Sequence, residues 1–157
     1  MNAPESKVAI EPYLLESRDA SGVVTLTLNR PQQFNALSVE MMTALQAALD
    51  AVAADSSARV VVLAGAGKAF CAGHDLKQMK EDTSLDTYRA LFAQCAKLML
   101  TIQSMPQPVI ARVHGVATAA GCQLVATCDL AVAVEGARFG VSAVSHTHLT
   151  LPTKRIV

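Results

Sequence analysis

The sequence carries no excess of either charge. Lys+Arg 13 faces Asp+Glu 13, so the formal net charge is zero. A dedicated nucleic-acid binder needs a basic surplus for its phosphate contacts, and a polybasic membrane anchor needs one as well. The balance argues against both. Long apolar runs are also missing, and none reaches the roughly 18 residues of a transmembrane helix. The longest are short, such as Val60 to Ala64 and Leu130 to Val134, and they read as buried strands. Residues 1–12 hold two acids, no arginine and no apolar h-region. They read as an N-terminal extension, not as a secretory signal or mitochondrial presequence. Cysteine is sparse, at Cys71, Cys95, Cys122 and Cys128, with no CxxC spacing. Such thiols in apolar surroundings behave as small buried hydrophobes in a reducing compartment, and a cytoplasmic protein is expected.

What the chain does have is apolar surface. Hydrophobic residues make up 52% of its 157 residues, against 17% charged and 4% aromatic. That is one domain's worth of length with enough material for a core, which argues against general disorder. Val23 to Leu28 alternates and is β-branched, so it reads as a strand. Tyr13 to Arg18 is its hairpin partner, turning through Asp19-Ala20-Ser21-Gly22. Apolar residues at 41, 45, 48, 49 and 52, behind Ser38 as N-cap and Glu40 in the first turn, predict a helix over 38–54. Arg59 to Ala64 is a further strand. A helix over 84–104 is capped by Ser84, carries the stripe Tyr88, Leu91, Phe92, Cys95, Leu98, Met99 and Ile102, and stops at Pro106 and Pro108. Pro108 to Val113 reads as a strand, Gly115 to Gly121 as a small-residue turn, 120–127 as a short helix and Leu130 to Val134 as another strand. Alternating strands and helices, with strands apolar on both faces, indicate an α/β protein with a largely parallel sheet.

Several familiar motifs fail on one residue. Gly67-Lys68 lacks the Walker A glycine, because position 62 is Val. A dinucleotide fingerprint starting at Gly65 needs glycine at 70, which is Phe. Gly140-Val141-Ser142 opens like a nucleophile elbow, but Val144 replaces its closing glycine. His146 and His148 have no third ligand at a recognised spacing, so no metal site is assigned.

Two segments survive: Lys68-Ala69-Phe70-Cys71-Ala72-Gly73-His74-Asp75-Leu76 and His114-Gly115-Val116-Ala117-Thr118-Ala119-Ala120-Gly121-Cys122-Gln123-Leu124. Each combines small residues with a turn that opens a helix. Small residues let a ligand approach the backbone, and free N–H groups at a helix start favour an anion or a polarised oxygen. Two such donors on one carbonyl oxygen would make an oxyanion hole. Close helix–sheet packing selects the same residue types, so composition leaves both readings open.

These segments, with Leu28-Asn29-Arg30-Pro31, Phe34-Asn35-Ala36-Leu37, Pro108-Val109-Ile110-Ala111 and Cys128-Asp129 in this order, resemble the enoyl-CoA hydratase/isomerase (crotonase) superfamily. The Gly-His-Asp-Leu and Ala-Ala-Gly-Cys-Gln-Leu variants point to one subgroup within it. The resemblance implies a spiral of ββα units and an acyl-CoA thioester substrate, with coenzyme A as part of the substrate and no separate cofactor. It implies that the N–H groups of His74 and Ala120 hold the thioester oxygen. It places Phe34 and Ala36, with Lys68, Phe70 and Ala72, near the CoA moiety, beside Asp75 and Leu76. Asp75 reads as a helix cap more readily than as an acid. A homotrimer or hexamer is expected of a full-length member.

Two departures accompany the resemblance. The first family glutamate falls on Gln123 and the second on Ala143, and neither residue exchanges a proton near neutral pH. Residues 13–144 make a partial core, and residues 145–157 do not resemble the family's continuation. They read as a foreign or out-of-frame tail on a C-terminally incomplete chain, with a genuine short isoform as the competing reading. Three functions follow: a hydratase or isomerase of acyl-CoA metabolism, a catalytically impaired acyl-CoA binder, or an inactive fragment.

Overall fold

The computed structural model describes residues 11–141. The expectations for Ser142, Ala143, His146, His148 and the tail 145–157 lie outside the described residues, as does nearly all of the 1–12 extension. The chain opens with β1 (Leu14–Arg18) and β2 (Val23–Leu28), an antiparallel pair in which Leu14 faces Leu28. Asp19 closes their turn by accepting hydrogen bonds from Ser21 N, Ser21 Oγ and Val23 N, and Gly22 supplies the left-handed residue at φ 86°. Helix α1 (Val39–Ala53) follows, with the Ser38 side chain accepting from Met41 N. Next come β3 (Val60–Gly65), β4 (Ala69–Cys71), α2 (Leu76–Glu81) and α3 (Leu85–Ser104). The remaining elements are β5 (Val109–Val113), β6 (Val116–Thr118), α4 (Ala120–Thr127), β7 (Leu130–Ala133) and β8 (Arg138–Gly140).

Among the described residues the strands form two sheets. The larger has the order β1-β2-β3-β5-β7 and the smaller β4-β6-β8. Every pairing except β1 with β2 is parallel. Each of β3, β5 and β7 is followed at once by a short strand of the small sheet, β4, β6 and β8. The chain therefore climbs as a repeated strand–strand–helix spiral, the α/β architecture that the resemblance implies.

The core lies between the large sheet and helices α1 and α3. Val24, Leu26 and Leu28 of β2, Val61 and Leu63 of β3, and Val109, Ala111 and Val113 of β5 alternate inward. They meet Met41, Met42, Leu45, Leu49 and Val52 of α1 and Leu91, Cys95, Leu98, Met99 and Ile102 of α3. Each fully buried large aliphatic side chain contributes about 1.5–3 kcal/mol.

Three expectations need correction. The Leu130 to Val134 run is a strand but is not buried, since Leu130, Val132 and Val134 are more than half exposed. It forms an edge of the large sheet, and no described element covers it. Phe92 belongs to the apolar stripe of α3 by spacing, yet it is half exposed and touches His74. The small-residue turn of 115–121 and the loop of 68–72 each contain a three-residue strand, β6 and β4, too short to show any period. Among the described residues no helix is long and apolar enough to cross a membrane.

Candidate functional site

The turn after β4 meets the start of α4 at backbone-contact distance. Gly73 has φ 90°, and a Cβ added there would lie 3.1 Å from Ala120 N and 3.0 Å from Ala119 Cβ. Gly121 is tighter still against β4, because its Cβ would lie 2.2 Å from the Cys71 carbonyl oxygen. These glycines let the two segments approach to backbone contact.

The direction of each amide follows from its peptide plane, because every peptide here is trans and so points its C=O and N–H opposite ways. The Gly73 carbonyl accepts from Leu37 N at 2.7 Å, and Asp75 N donates to the Leu37 carbonyl at 3.4 Å. This isolated parallel bridge turns the His74 N–H away from Leu37. On the other segment the Ala119 carbonyl accepts from Cys122 N at 3.0 Å and Gln123 N at 3.1 Å, so the Ala120 N–H points back out of the N-terminus of α4. Among the described residues neither amide has a backbone acceptor. Ala119 itself sits at φ 50°, ψ −125°, a conformation that L side chains rarely adopt. It is held there by its N–H, which donates to the Gly140 carbonyl of β8 at 2.8 Å.

The segment 34–37 runs beside 72–75. Phe34 and Asn35 are both left-handed, at φ 50° and 54°, and the Phe34 carbonyl accepts from Ala72 N at 3.0 Å. Asn35 is fully buried. Its Oδ1 accepts from Arg30 N at 2.9 Å, and its Nδ2 faces the carbonyls of Ala66, Ala69 and Phe70 at 2.8, 2.9 and 3.2 Å.

The structure gathers most of the residues singled out in the sequence, though not all. Phe34 is exposed, Ala36, Ala72, His74 and Asp75 are half-buried, and Leu76 is 68% exposed; all six lie in or directly after the paired segments 34–37 and 72–75. Ala120 and Gln123 lie on the first turns of α4, with Gln123 exposed. Phe70 is fully buried in the core, so its side chain offers no surface to a ligand. Lys68 precedes β4 and lies against Gly115, at the other end of that strand from Ala72–His74. Asp75 caps α2, accepting from Lys77 N at 2.9 Å and Gln78 N at 3.2 Å. Sequence reasoning missed Asn35, Leu37 and Ala119 as parts of the site. Asn is among the residues that tolerate left-handed backbone, which was the one local signal available.

The His74 imidazole packs edge-on against Phe92 at 5.5 Å between ring centres. Its Nδ1 is buried without a hydrogen-bond partner among the described residues. Burial holds its pKa below the usual histidine value, and the nearby Leu37 carbonyl offsets only part of this. Burial also pushes the Cys71 and Cys128 thiols up to about 12, which leaves them protonated and unreactive. A cavity of about 450 Å³ opens between the start of α1 and α2, lined by Tyr13, Arg30, Ala36, Glu40, Asp75 and Lys77 among others. Arg30 is already engaged with the Tyr13 ring at 3.7 Å and with the carbonyls of Glu11, Pro12 and Asn29. A second cavity of about 340 Å³ lies at the carboxyl ends of β3, β5 and β7. Neither is lined by His74 or Ala120. No group of three or more potential metal ligands occurs among the described residues.

Comparison with known proteins returns one family. The profile described as Enoyl-CoA hydratase/isomerase matches residues 18–146. Enoyl-CoA hydratase domain-containing protein 3, mitochondrial, of Xenopus laevis is 45% identical over 124 residues, 79% of this chain and 42% of the relative. This is the subgroup to which the Gly-His-Asp-Leu and Ala-Ala-Gly-Cys-Gln-Leu variants point. The 2,3-dehydroadipyl-CoA hydratase of Escherichia coli is 40% identical over 123 residues, 78% of this chain and 47% of the relative. A crystal structure of an enoyl-CoA hydratase from Mycobacterium smegmatis superposes with a TM-score of 0.82 at 62% identity, covering 90% of this chain and 54% of that one. The chain spans about half the length of the relatives it matches.

Proposed function

Because the chain belongs to the enoyl-CoA hydratase/isomerase family, we propose that it binds an acyl-CoA thioester and holds the thioester oxygen between the N–H groups of His74 and Ala120. The observation that carries this reading is the approach of Gly73 to Ala119 and Ala120, with both N–H groups turned away from their neighbours by the hydrogen bonds of Gly73 O and Ala119 O. Addition of water to an α,β-unsaturated thioester, or loss of its α-proton to a base, gives an enolate whose charge gathers on that oxygen. Donors fixed in advance stabilise it without reorganising, and each is worth on the order of 3 kcal/mol. The N-terminus of α4 adds a favourable partial charge. The His74 imidazole has no step in this scheme, because its backbone supplies the donor. Asp75 is occupied with its cap. No cofactor beyond the CoA moiety of the substrate enters the scheme.

Proton transfer is where the chain departs from the family pattern. Gln123 stands on α4 at the position of the first family glutamate, and its amide cannot act as general acid or base near neutral pH. Gln123 therefore favours a second reading, an acyl-CoA-binding homologue with impaired hydration chemistry. The four cysteines are unpaired, which suits a reducing compartment such as the cytoplasm. A homotrimer or hexamer is proposed for the full-length protein.

Thermal unfolding with and without crotonyl-CoA, paired with a hydration assay, separates the readings. A ligand at about 100 times its Kd stabilises by about 2.7 kcal/mol, or about 5–10 °C for a chain of this size. We expect that shift together with little hydration. No shift, with concentration-dependent aggregation, would mean an inert fragment. Hydration at a rate normal for the family would restore the enzymatic reading, and a panel of acyl-CoA thioesters tests for other enolate chemistry.

A further inference from the structure

Asn35 holds more of the site together than a residue beside a ligand groove needs to. Its amide has two hydrogens, yet three carbonyls, those of Ala66, Ala69 and Phe70, converge on Nδ2 within 3.2 Å. Those carbonyls belong to the segment that leaves β3, enters β4 and delivers the chain to Cys71. On either side of Asn35 the backbone is laid along the next stretch of that segment. Phe34 O accepts from Ala72 N, Leu37 N donates to Gly73 O, and Leu37 O accepts from Asp75 N. Asn35 is thus the centre of a short template, and the end of that template dictates which way the Gly73–His74 peptide faces. There is no slack around it, since a Cβ on Gly65 would come within 3.0 Å of Nδ2.

We infer that Asn35 is a positioning residue for the His74 N–H: its buried carboxamide locks the 66–70 turn to the 34–37 segment and so aims the oxyanion donor. The inference rests on the oxyanion reading above. Asn35 touches no substrate in this scheme and acts only through the 66–70 turn, Leu37 and Gly73. A purely structural asparagine would affect stability and all binding alike. A positioning one affects the thioester oxygen selectively.

The test uses the 157-residue chain, crotonyl-CoA carrying ¹³C at the thioester carbonyl, and infrared difference spectra. In the unmutated chain the bound carbonyl band moves to lower frequency than in the free thioester. Asn35→Gly keeps the left-handed backbone and removes the carboxamide. In this variant, once circular dichroism shows it folded, the band shift falls by half or more. The preference for the thioester over a thioether analogue without the carbonyl falls about fivefold, the value of one net hydrogen bond, while affinity for CoA itself is unchanged. A folded Asn35→Gly chain with the full band shift overturns the inference. Absence of any shift in the unmutated chain overturns the oxyanion reading and takes the inference with it, which keeps the two failures apart. If Asn35→Gly does not fold, ¹⁵N NMR of the unmutated chain decides. The Asn35 side-chain NH₂ and the His74 amide should move together on adding the thioester and stay in place with the thioether. Movement of His74 alone refutes the coupling.

Discussion

Replacing Gly121 by alanine puts a methyl group where the structure has a backbone oxygen. The new Cβ would lie 2.2 Å from the Cys71 carbonyl oxygen and 2.7 Å from its carbon, about 1 Å short of ordinary contact at 3.4 Å. No side-chain rotation relieves this, because the obstacle is backbone in β4. The α4 start and β4 must therefore part by about 1 Å. Overpacking of this kind costs about 1–3 kcal/mol, and a rigid obstacle places the value at the upper end. Alanine in place of a helical glycine returns about 1 kcal/mol. The net loss is about 2 kcal/mol, equivalent to about 4–8 °C in melting temperature for this size of chain. Gly136→Ala is the control, since nothing lies within 4 Å of its Cβ and it should stay within about 0.5 kcal/mol of the unmutated chain. The same displacement moves the Ala120 amide relative to the His74 amide, which should weaken thioester binding by about fivefold, the value of one net hydrogen bond. Thermal unfolding and acyl-CoA binding of the two variants side by side are the assay. If Gly121→Ala melts within about 1 °C of Gly136→Ala, the backbone approach claimed for the site does not exist.

Further outcomes follow from the same geometry. Ala119→Gly should stabilise the chain by about 0.5–2 kcal/mol, because it removes about 1–3 kcal/mol of strain at the expense of about 0.5–1 kcal/mol of backbone entropy; a higher urea midpoint at constant m-value checks this. Asp75→Ala should cost about 1 kcal/mol through the lost cap and speed amide exchange over residues 76–81, while acyl-CoA binding persists. Abolished binding in a folded variant would give the carboxylate a direct role. The His74 pKa is lowered in the fold by burial, so the unfolded chain takes up the proton first as pH falls. Its contribution is fully present above the ordinary histidine value of about 6.5 and is lost as pH drops from there toward the folded pKa. Unfolding curves of the unmutated chain and His74→Gln across that window should diverge, with the unmutated chain losing more; parallel curves would remove His74 as the cause.

Much of the scaffold is written locally. Ser38 and Ser84 cap the helices they precede, Asp19 shapes the first turn, and the buried faces of α1 and α3 repeat at helical spacing. These features depend on residues two to four apart, which is why spacing alone reveals them. The order of motifs from Leu28 to Asp129 marks the family, and with it the two amides of the proposed oxyanion hole. Other features depend on partners far along the chain. Strands β4, β6 and β8 have three residues each, too few for any period. Phe92 has the spacing of a core residue, but α3 turns it toward His74. The Leu130 to Val134 run is apolar enough for a buried strand, and its exposure reflects the lack of a described element packed on its faces. The direction of the His74 N–H is set by Leu37, and that of Ala119 by Gly140. Asn35 owes its role to carbonyls more than thirty residues ahead. A peptide plane turns with whatever accepts its hydrogen bond, and that acceptor is chosen only when the spiral brings distant segments together.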